Sequence, residues 1–291
     1  MEANTDLKDS RLAHAWQELH DYTAGGQPLP PDAYRLAFTD PEFLQRPETR
    51  GIRFQLELLK PELALTEAGI EHTVVVYGSA RCVSQDEAEG RLQAARECGD
   101  PQAIAPAERA LENAYYYEQA RAFAHLVAQR NAYCPPAERM YICTGGGPGI
   151  MEAANRGAHE AGAPTIGLNI TLPHEQSGNP YITPGLSFKF HYFALRKMHF
   201  MMRAKALVVF PGGFGTLDEL FEVLTLVQTR KAKPVPIVLY GSAFWKKLVH
   251  FEVLVEQGTI SADDLALFHY SDDPADAWAH IKQFYRLRNG N

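Results

Sequence analysis

Cysteine is scarce in this chain: its 291 residues hold four, Cys82, Cys98, Cys134 and Cys143, and no two are spaced as Cys-x-x-Cys. That excludes a disulfide scaffold and a thiolate metal knuckle, and all four read as reduced thiols of a cytoplasmic protein. Positive charge is also in short supply, with 28 Lys and Arg against 35 Asp and Glu and a formal net charge of −7. No basic run stands out, which argues against nucleic acid or an anionic membrane as partner. A mononucleotide stays compatible, because its phosphate needs only a local positive site. The apolar runs are too short to span a bilayer. The first thirty residues are polar, carry Pro28 and Pro30, and lack the apolar centre of a signal peptide. Histidine occurs at 11 positions without a His-Glu-x-x-His pattern, so no metal and no cofactor is assigned. No Gly-Lys dipeptide occurs, which excludes a P-loop.

What is present is an alternation of apolar strand-like runs and helix-like segments, with 46% hydrophobic residues, enough for a large core. Strands are expected at 73–77, 139–143, 165–169, 206–210, 235–240 and 267–270. Helices are expected at 106–131, 149–162, about 192–203, after 216, at 243–257 and at 274–287. The stretch 84–100 suits helix or loop, and 171–187 suits a long loop in which His174-Glu175 is a turn or a lid element. This pattern implies an α/β fold: a Rossmann-like, doubly wound parallel sheet with helices on both faces. Residues 1–69 read as an N-terminal helical extension, with helices near 8–22 (Leu12, Trp16 and Leu19 on one face), 31–38 and 47–68. It has too little apolar surface to fold alone and is expected to pack on the main domain, 70–291, or on a partner subunit.

Two glycine-rich turns carry the chemistry. Pro211-Gly212-Gly213-Phe214-Gly215-Thr216-Leu217-Asp218-Glu219 follows a buried strand and opens a helix expected to start at Thr216. Glycines let backbone N–H groups approach a ligand, and a helix start favours a phosphate. Thr216-x-x-Glu219 also fits a capping box, in which the two side chains only cap the helix. Thr144-Gly145-Gly146-Gly147-Pro148-Gly149-Ile150-Met151 repeats the design upstream. Two such turns suggest strand ends converging on one ligand. A dinucleotide fingerprint fails here: counted from Gly145, the third glycine position is Ile150, and the next strand ends in Asn169.

Gly145–Met151, the segment Arg196-Lys197-Met198-His199-Phe200-Met201, which has Phe200 where the Arg-Lys-x-x-Met pattern has its methionine, and the Pro-Gly-Gly-x-Gly-Thr-x-x-Glu of 211–219 together resemble the signature of the LOG ("lonely guy") proteins. Gly78-Ser79-Ala80-Arg81 after the first strand is similar too, so the resemblance covers about residues 70–245. It implies a Rossmann-like phosphoribohydrolase that hydrolyses the N-glycosidic bond of a nucleoside 5′-monophosphate, of the AMP or cytokinin riboside type, releasing free base and ribose 5-phosphate. Arg196 and Glu219 are then the catalytic pair, although Arg196, with Lys197, Arg203 and Lys205 near it, also suits a solvated basic helix face. Gly212, Gly213, Gly215 and Thr216 would take the phosphate, and Gly145, Gly146, Gly147 and Met151 the nucleoside. Gly78, Ser79 and Lys197 complete the substrate contacts, with Arg81 a weaker extension. Met151 equally suits core packing, and Ser79 a turn cap. The resemblance also implies a homodimer or larger homo-oligomer. The alternative is a non-catalytic nucleotide-binding regulatory protein on the same scaffold. The lysine decarboxylase label carried by some members is not adopted, because nothing singles out a lysine for a Schiff base.

Overall fold

A computed structural model describes residues 35–171 and 178–289, and positions 14, 17, 20, 21, 24 and 25 before them. Leu12, Trp16 and Leu19, most of the 8–22 helix, and His174-Glu175 lie outside the described residues. The chain divides into two compact units, Met1–Leu59 and Lys60–Asn291. In the first, α1 (Pro41–Gln45) is capped by Asp40, whose carboxylate accepts from the Glu42 and Phe43 amides. The stretch 35–38 is turn rather than the helix expected there. Helix α2 (Arg50–Glu67) crosses the division between the units.

Among the described residues of the second unit, seven strands form one sheet: β1 (His72–Tyr77), β2 (Met140–Thr144), β3 (Thr165–Ile170), β4 (Ser187–Phe190), β5 (Ala204–Val209), β6 (Ile237–Tyr240) and β7 (Phe268–Ser271). The helices between them are α3 (Gln85–Cys98), α4 (Pro101–Asn131), α5 (Ile150–Glu160), α6 (Phe193–Met202), α7 (Phe214–Gln228), α8 (Ser242–Leu248), α9 (Phe251–Glu256) and α10 (Pro274–Asn289). All pairings are parallel and the order is β4-β3-β2-β1-β5-β6-β7. Such a sheet needs both faces covered, and the strands are apolar on both. Val75, Tyr77, Leu207 and Val209 face one core with Phe200, Leu220, Trp245 and Phe251. Their neighbours Val74, Val76, Ala206 and Val208 face the other core with Tyr117, Phe123, Ala153 and Ile281. The doubly wound α/β arrangement expected from the alternation is therefore the one observed. β4 is an addition: its short Ser-Phe-Lys-Phe run extends the sheet beside β3, within the region expected as loop and helix lead-in.

The order of the strands reverses between β1 and β5, so the loops after them leave toward opposite faces and open a crevice at their carboxyl ends. The two ends are tied directly: Phe210 N–H donates to Tyr77 O at 2.8 Å and Ser79 N–H to Pro211 O at 2.9 Å. On the α4–α5 side the packing is close enough to specify glycine. A Cβ at Gly157 would lie 2.0 Å from the Arg121 carbonyl oxygen. Gly157→Ala should therefore force the two helices apart and destabilise the protein by about 2 kcal/mol, read by chemical denaturation. Unchanged stability would show that the helices do not approach as described. Among the described residues, no helix is long and apolar enough to cross a membrane.

Candidate active site

A cavity of about 820 Å³ lies at the switch point, walled by the loops after β1, β2 and β5 and by α6. It brings together Gly78, Ser79, Arg81, Gly145, Gly147, Met151, Arg196, Gly213, Gly215, Thr216 and Glu219 from the sequence candidates. Gly146 and Gly212 shape the turns from behind without lining the cavity. A Cβ at Gly212 would lie 2.1 Å from Thr216 Oγ1, and one at Gly146 would lie 2.5 Å from the Asn169 side chain. Lys197 is directed elsewhere: its ammonium sits 2.8 Å from both Asp218 and Glu222 on the flank of α7.

Helix α7 begins at Phe214 rather than Thr216, with Gly213 as its N-cap and no side chain capping it. Its first turn closes with Leu217 N–H donating to Gly213 O at 3.0 Å. The amides of Phe214, Gly215 and Thr216 precede that bond, so they belong to the donors an α-helix leaves without an intrahelical partner. Thr216 and Glu219 thus form no capping box; that device is found instead at Ser261 and Asp264. A Cβ built on Gly213 or Gly215 meets nothing within 4 Å. Neither glycine is needed for packing, and both leave open space along the exposed amides, the arrangement an anion requires.

Glu219 projects from the second turn of α7 and meets Arg196 of α6, Oε1 to Nη1, at 3.2 Å. Both side chains are largely buried, 13% and 10% exposed. Arg196 is held from behind: its Nε donates to Leu168 O at 2.8 Å, and its guanidinium lies 5.1 Å from the centre of the Phe200 ring. It is a buried, oriented cation and not part of a solvated helix face. Burial raises the Glu219 carboxyl to about 7, and the opposing pull of Arg196 does not cancel that shift. The carboxyl therefore changes charge near neutral pH despite its arginine partner.

Met151 is half-buried at the cavity wall and outside the hydrophobic core clusters, and its Sδ would lie 2.8 Å from a Cβ at Gly145. Ser79 Oγ accepts from the Arg81 amide at 3.1 Å, closing the turn after β1 while facing the cavity. Asn169, Ile170, Phe193 and Phe214 also line the cavity and were not among the sequence candidates. Phe214 is 92% exposed, and its place between two glycines of the turn was the available signal. Among the described residues, no group of three His, Cys, Asp or Glu side chains is placed to hold a metal ion.

Fold and site together define a Rossmann-like α/β protein whose switch-point cavity pairs an anion-ready helix start with a buried carboxylate–arginine pair. The family model described as "Possible lysine decarboxylase" matches residues 151–281. The chain is 31% identical over 120 residues to the "Probable cytokinin riboside 5'-monophosphate phosphoribohydrolase LOGL5" of Oryza sativa subsp. japonica, covering 40% of this chain and 48% of that protein. It is 27% identical over 150 residues to the "Cytokinin riboside 5'-monophosphate phosphoribohydrolase LOG2" of Arabidopsis thaliana, covering 50% and 66%. The chain thus spans about half the length of the first of these relatives. Among solved structures, the Moco carrier protein of Chlamydomonas reinhardtii is 20% identical with a TM-score of 0.42, over 74% of this chain and 99% of that one. The resemblance to LOG proteins read from the three motifs holds in these sequence comparisons, at modest identity.

The two kinds of glycine in the turn after β5 can be separated by substitution. Gly213→Val places a side chain in open space, so it should lower the melting temperature only by the small cost of a valine N-cap and, where the turn holds a phosphate, weaken AMP binding by about a hundredfold or more. Gly212→Val should instead lower the melting temperature, through overlap with Thr216. Calorimetric titration beside thermal melts checks both, and undiminished AMP binding by Gly213→Val would remove the phosphate from this turn.

Proposed function

We propose that this protein is a nucleotide phosphoribohydrolase, cleaving the N-glycosidic bond of a nucleoside 5′-monophosphate with water to give free base and ribose 5-phosphate. One observation carries the reading: the buried Glu219–Arg196 pair stands in the same cavity as the uncapped start of α7. The names of the sequence relatives agree with it, and AMP and prenylated adenine ribotides fall in the same substrate class.

In this reading the phosphate rests on the amides of Phe214, Gly215 and Thr216, beside the positive end of the helix. That anchors the ribose near Glu219. Departure of the base breaks the C1′–N bond and leaves positive charge on the ribose. The ionised Glu219 stabilises that charge and orients the water whose oxygen bonds to C1′. The water's proton passes to Glu219 and from there to solvent, while the departing base takes up a proton from solvent, so the carboxylate is restored. Arg196 fixes the carboxylate and offers a hydrogen-bond fork to the ribose hydroxyls. Among the described residues, no lysine lines the cavity. The Schiff-base chemistry of a lysine decarboxylase therefore has no candidate group there.

Incubating the full chain with a panel of monophosphates and nucleosides, and assaying free base, tests this reading. Monophosphates should be cleaved and the matching nucleosides should react far more slowly. Glu219→Gln should abolish release while AMP still binds, and Arg196→Ala should lower turnover by about a hundredfold or more. The reactive form carries the ionised carboxylate, so turnover should rise with pH through about 7. Binding of monophosphates without release of base from any of them would convert the assignment to a nucleotide-binding regulator.

A homodimer, or a larger assembly built from it, is part of the same proposal. Phe193, Met198, Met202 and Phe221 leave apolar surface exposed on α6 and α7, the helices that carry the catalytic pair. A two-fold, self-complementary contact there would cover it. Light scattering should give at least twice the 32.4 kDa chain mass. A fully active monomer at assay concentration refutes the assembly.

A further inference from the structure

Behind the glycine turn after β2 lies a closed polar network in which every side-chain donor and acceptor of two asparagines is matched. Asn155 of α5 is fully buried. Its Oδ1 accepts from Thr144 Oγ1 at 2.7 Å and from Asn179 Nδ2 at 2.9 Å. Its Nδ2 donates to Thr165 Oγ1 at 3.1 Å and Ile166 O at 3.3 Å. Asn179, 8% exposed, reaches the turn itself. Its backbone N–H donates to Gly146 O at 2.9 Å and its Nδ2 to Gly147 O at 3.0 Å, while its Oδ1 accepts from the Tyr181 amide at 3.2 Å. Gly146 N–H in turn donates to Thr144 Oγ1 at 2.9 Å.

These bonds fix an orientation. In a trans peptide the C=O and the following N–H point in opposite directions. With Gly146 O drawn to Asn179, the Gly147 N–H is turned away from Asn179, and Gly147 is one of the residues that line the cavity. The peptide after Gly147 has no N–H, because Pro148 follows it. The orientation of the Gly147 amide is set by the Asn179 backbone N–H on Gly146 O, and the Asn179 side chain holds that backbone in place through its bonds to Gly147 O and Asn155 Oδ1. Catalytic groups depend on it much less: Arg196 touches the turn at Gly145 but is separately held by Leu168 O and Glu219.

We propose that Asn179, braced by Asn155, is a positioning residue that sets the Gly147 amide against the nucleoside half of the substrate and so controls affinity for that half alone. The proposal rests on the nucleotide reading above, and it goes beyond that reading by dividing the cavity into a phosphate half that the start of α7 supplies and a nucleoside half governed from loop 178–186.

The full chain carrying Glu219→Gln, so that nothing turns over, is titrated with AMP and with ribose 5-phosphate, with and without Asn179→Asp. That change keeps the shape, removes both side-chain donations, and sets a carboxylate against Gly147 O and Asn155 Oδ1. AMP affinity should fall by about tenfold or more, while ribose 5-phosphate affinity stays within about twofold. Asn179→Ala, which adds no charge, should give the same selective loss and serves if the aspartate variant does not fold. In the Glu219-intact enzyme the loss should appear in KM with kcat little changed. Equal weakening of both ligands would make the network merely structural and overturn the proposal, as would no loss for AMP. Failure of AMP to bind with Asn179 intact would overturn the nucleotide reading first, and this proposal with it.

Discussion

The pairing of β1 with β5 at the middle of the sheet is the constraint on which the site depends. These strands are far apart in the chain, yet their carboxyl ends are bonded amide to carbonyl at Tyr77–Phe210 and Ser79–Pro211. Because the winding direction changes between them, the chain leaving each strand diverges and cannot fill the space above. The glycine turns after β2 and β5 then face one another across a cavity rather than lying on separate faces. Parallel pairing of buried apolar runs also makes the floor of that cavity dry: Tyr77, Val209 and Phe210 beneath it are essentially inaccessible. A dry floor is what gives a carboxylate an unusual proton affinity.

Glu219 shows the consequence. A surface carboxylate beside an arginine would lose its proton readily, because opposite charge favours the ionised form. Here burial acts the other way and prevails, lifting the group to about 7. Arg196 is not surrendered by solvent either, since Leu168 O and the Phe200 ring hold its other faces. The pair is thus poised rather than locked. A carboxylate that is ionised for part of the time near neutrality can both take a proton from water and stabilise positive charge. The same burial that makes the pair costly to fold makes it chemically useful.

Much of the fold was legible because its signals are local. Buried strands read as continuous Val, Ile and Leu runs, and glycine turns between strand and helix mark the ends that matter. The start of α7 was displaced because Thr216-x-x-Glu219 imitates a cap, whereas the structure caps the helix with Gly213 backbone alone. Lys197 entered as a substrate contact through the same Arg-Lys motif as Arg196. Consecutive residues on a helix point to different faces, and the one beside Arg196 turns out to Asp218 and Glu222. The pairing of Arg196 with Glu219 came from a family resemblance; no spacing rule within the chain predicts it, because it is made by two helices that meet only after the sheet forms. β4 alternates exposed and buried residues, Ser187-Phe188-Lys189-Phe190, and so lacks the continuous apolar run by which the central strands are read. The Asn155–Asn179 network was invisible for a similar reason: asparagines in a helix and a loop look like surface residues until their partners close around them.

The glycines separate what the fold demands from what a ligand demands. Gly78, Gly149, Gly157 and Gly212 have no room for a Cβ: the Ile150 side chain, the Ser79 and Ala80 backbone, the Arg121 carbonyl and the Thr216 hydroxyl respectively occupy the place. Those positions are explained by packing alone, and a protein with no ligand would need them equally. Gly213 and Gly215 are different. Neither has a positive φ, and a Cβ at either would meet nothing. Glycine within a helix costs roughly 0.5–1 kcal/mol relative to alanine, so Gly215 in the first turn of α7 works against the helix it helps to begin. No contact of a side chain at that position with the described residues would offset that cost. What these two residues leave clear is the line of amides at Phe214, Gly215 and Thr216, which no acceptor among the described residues takes up and whose geometry suits an anion.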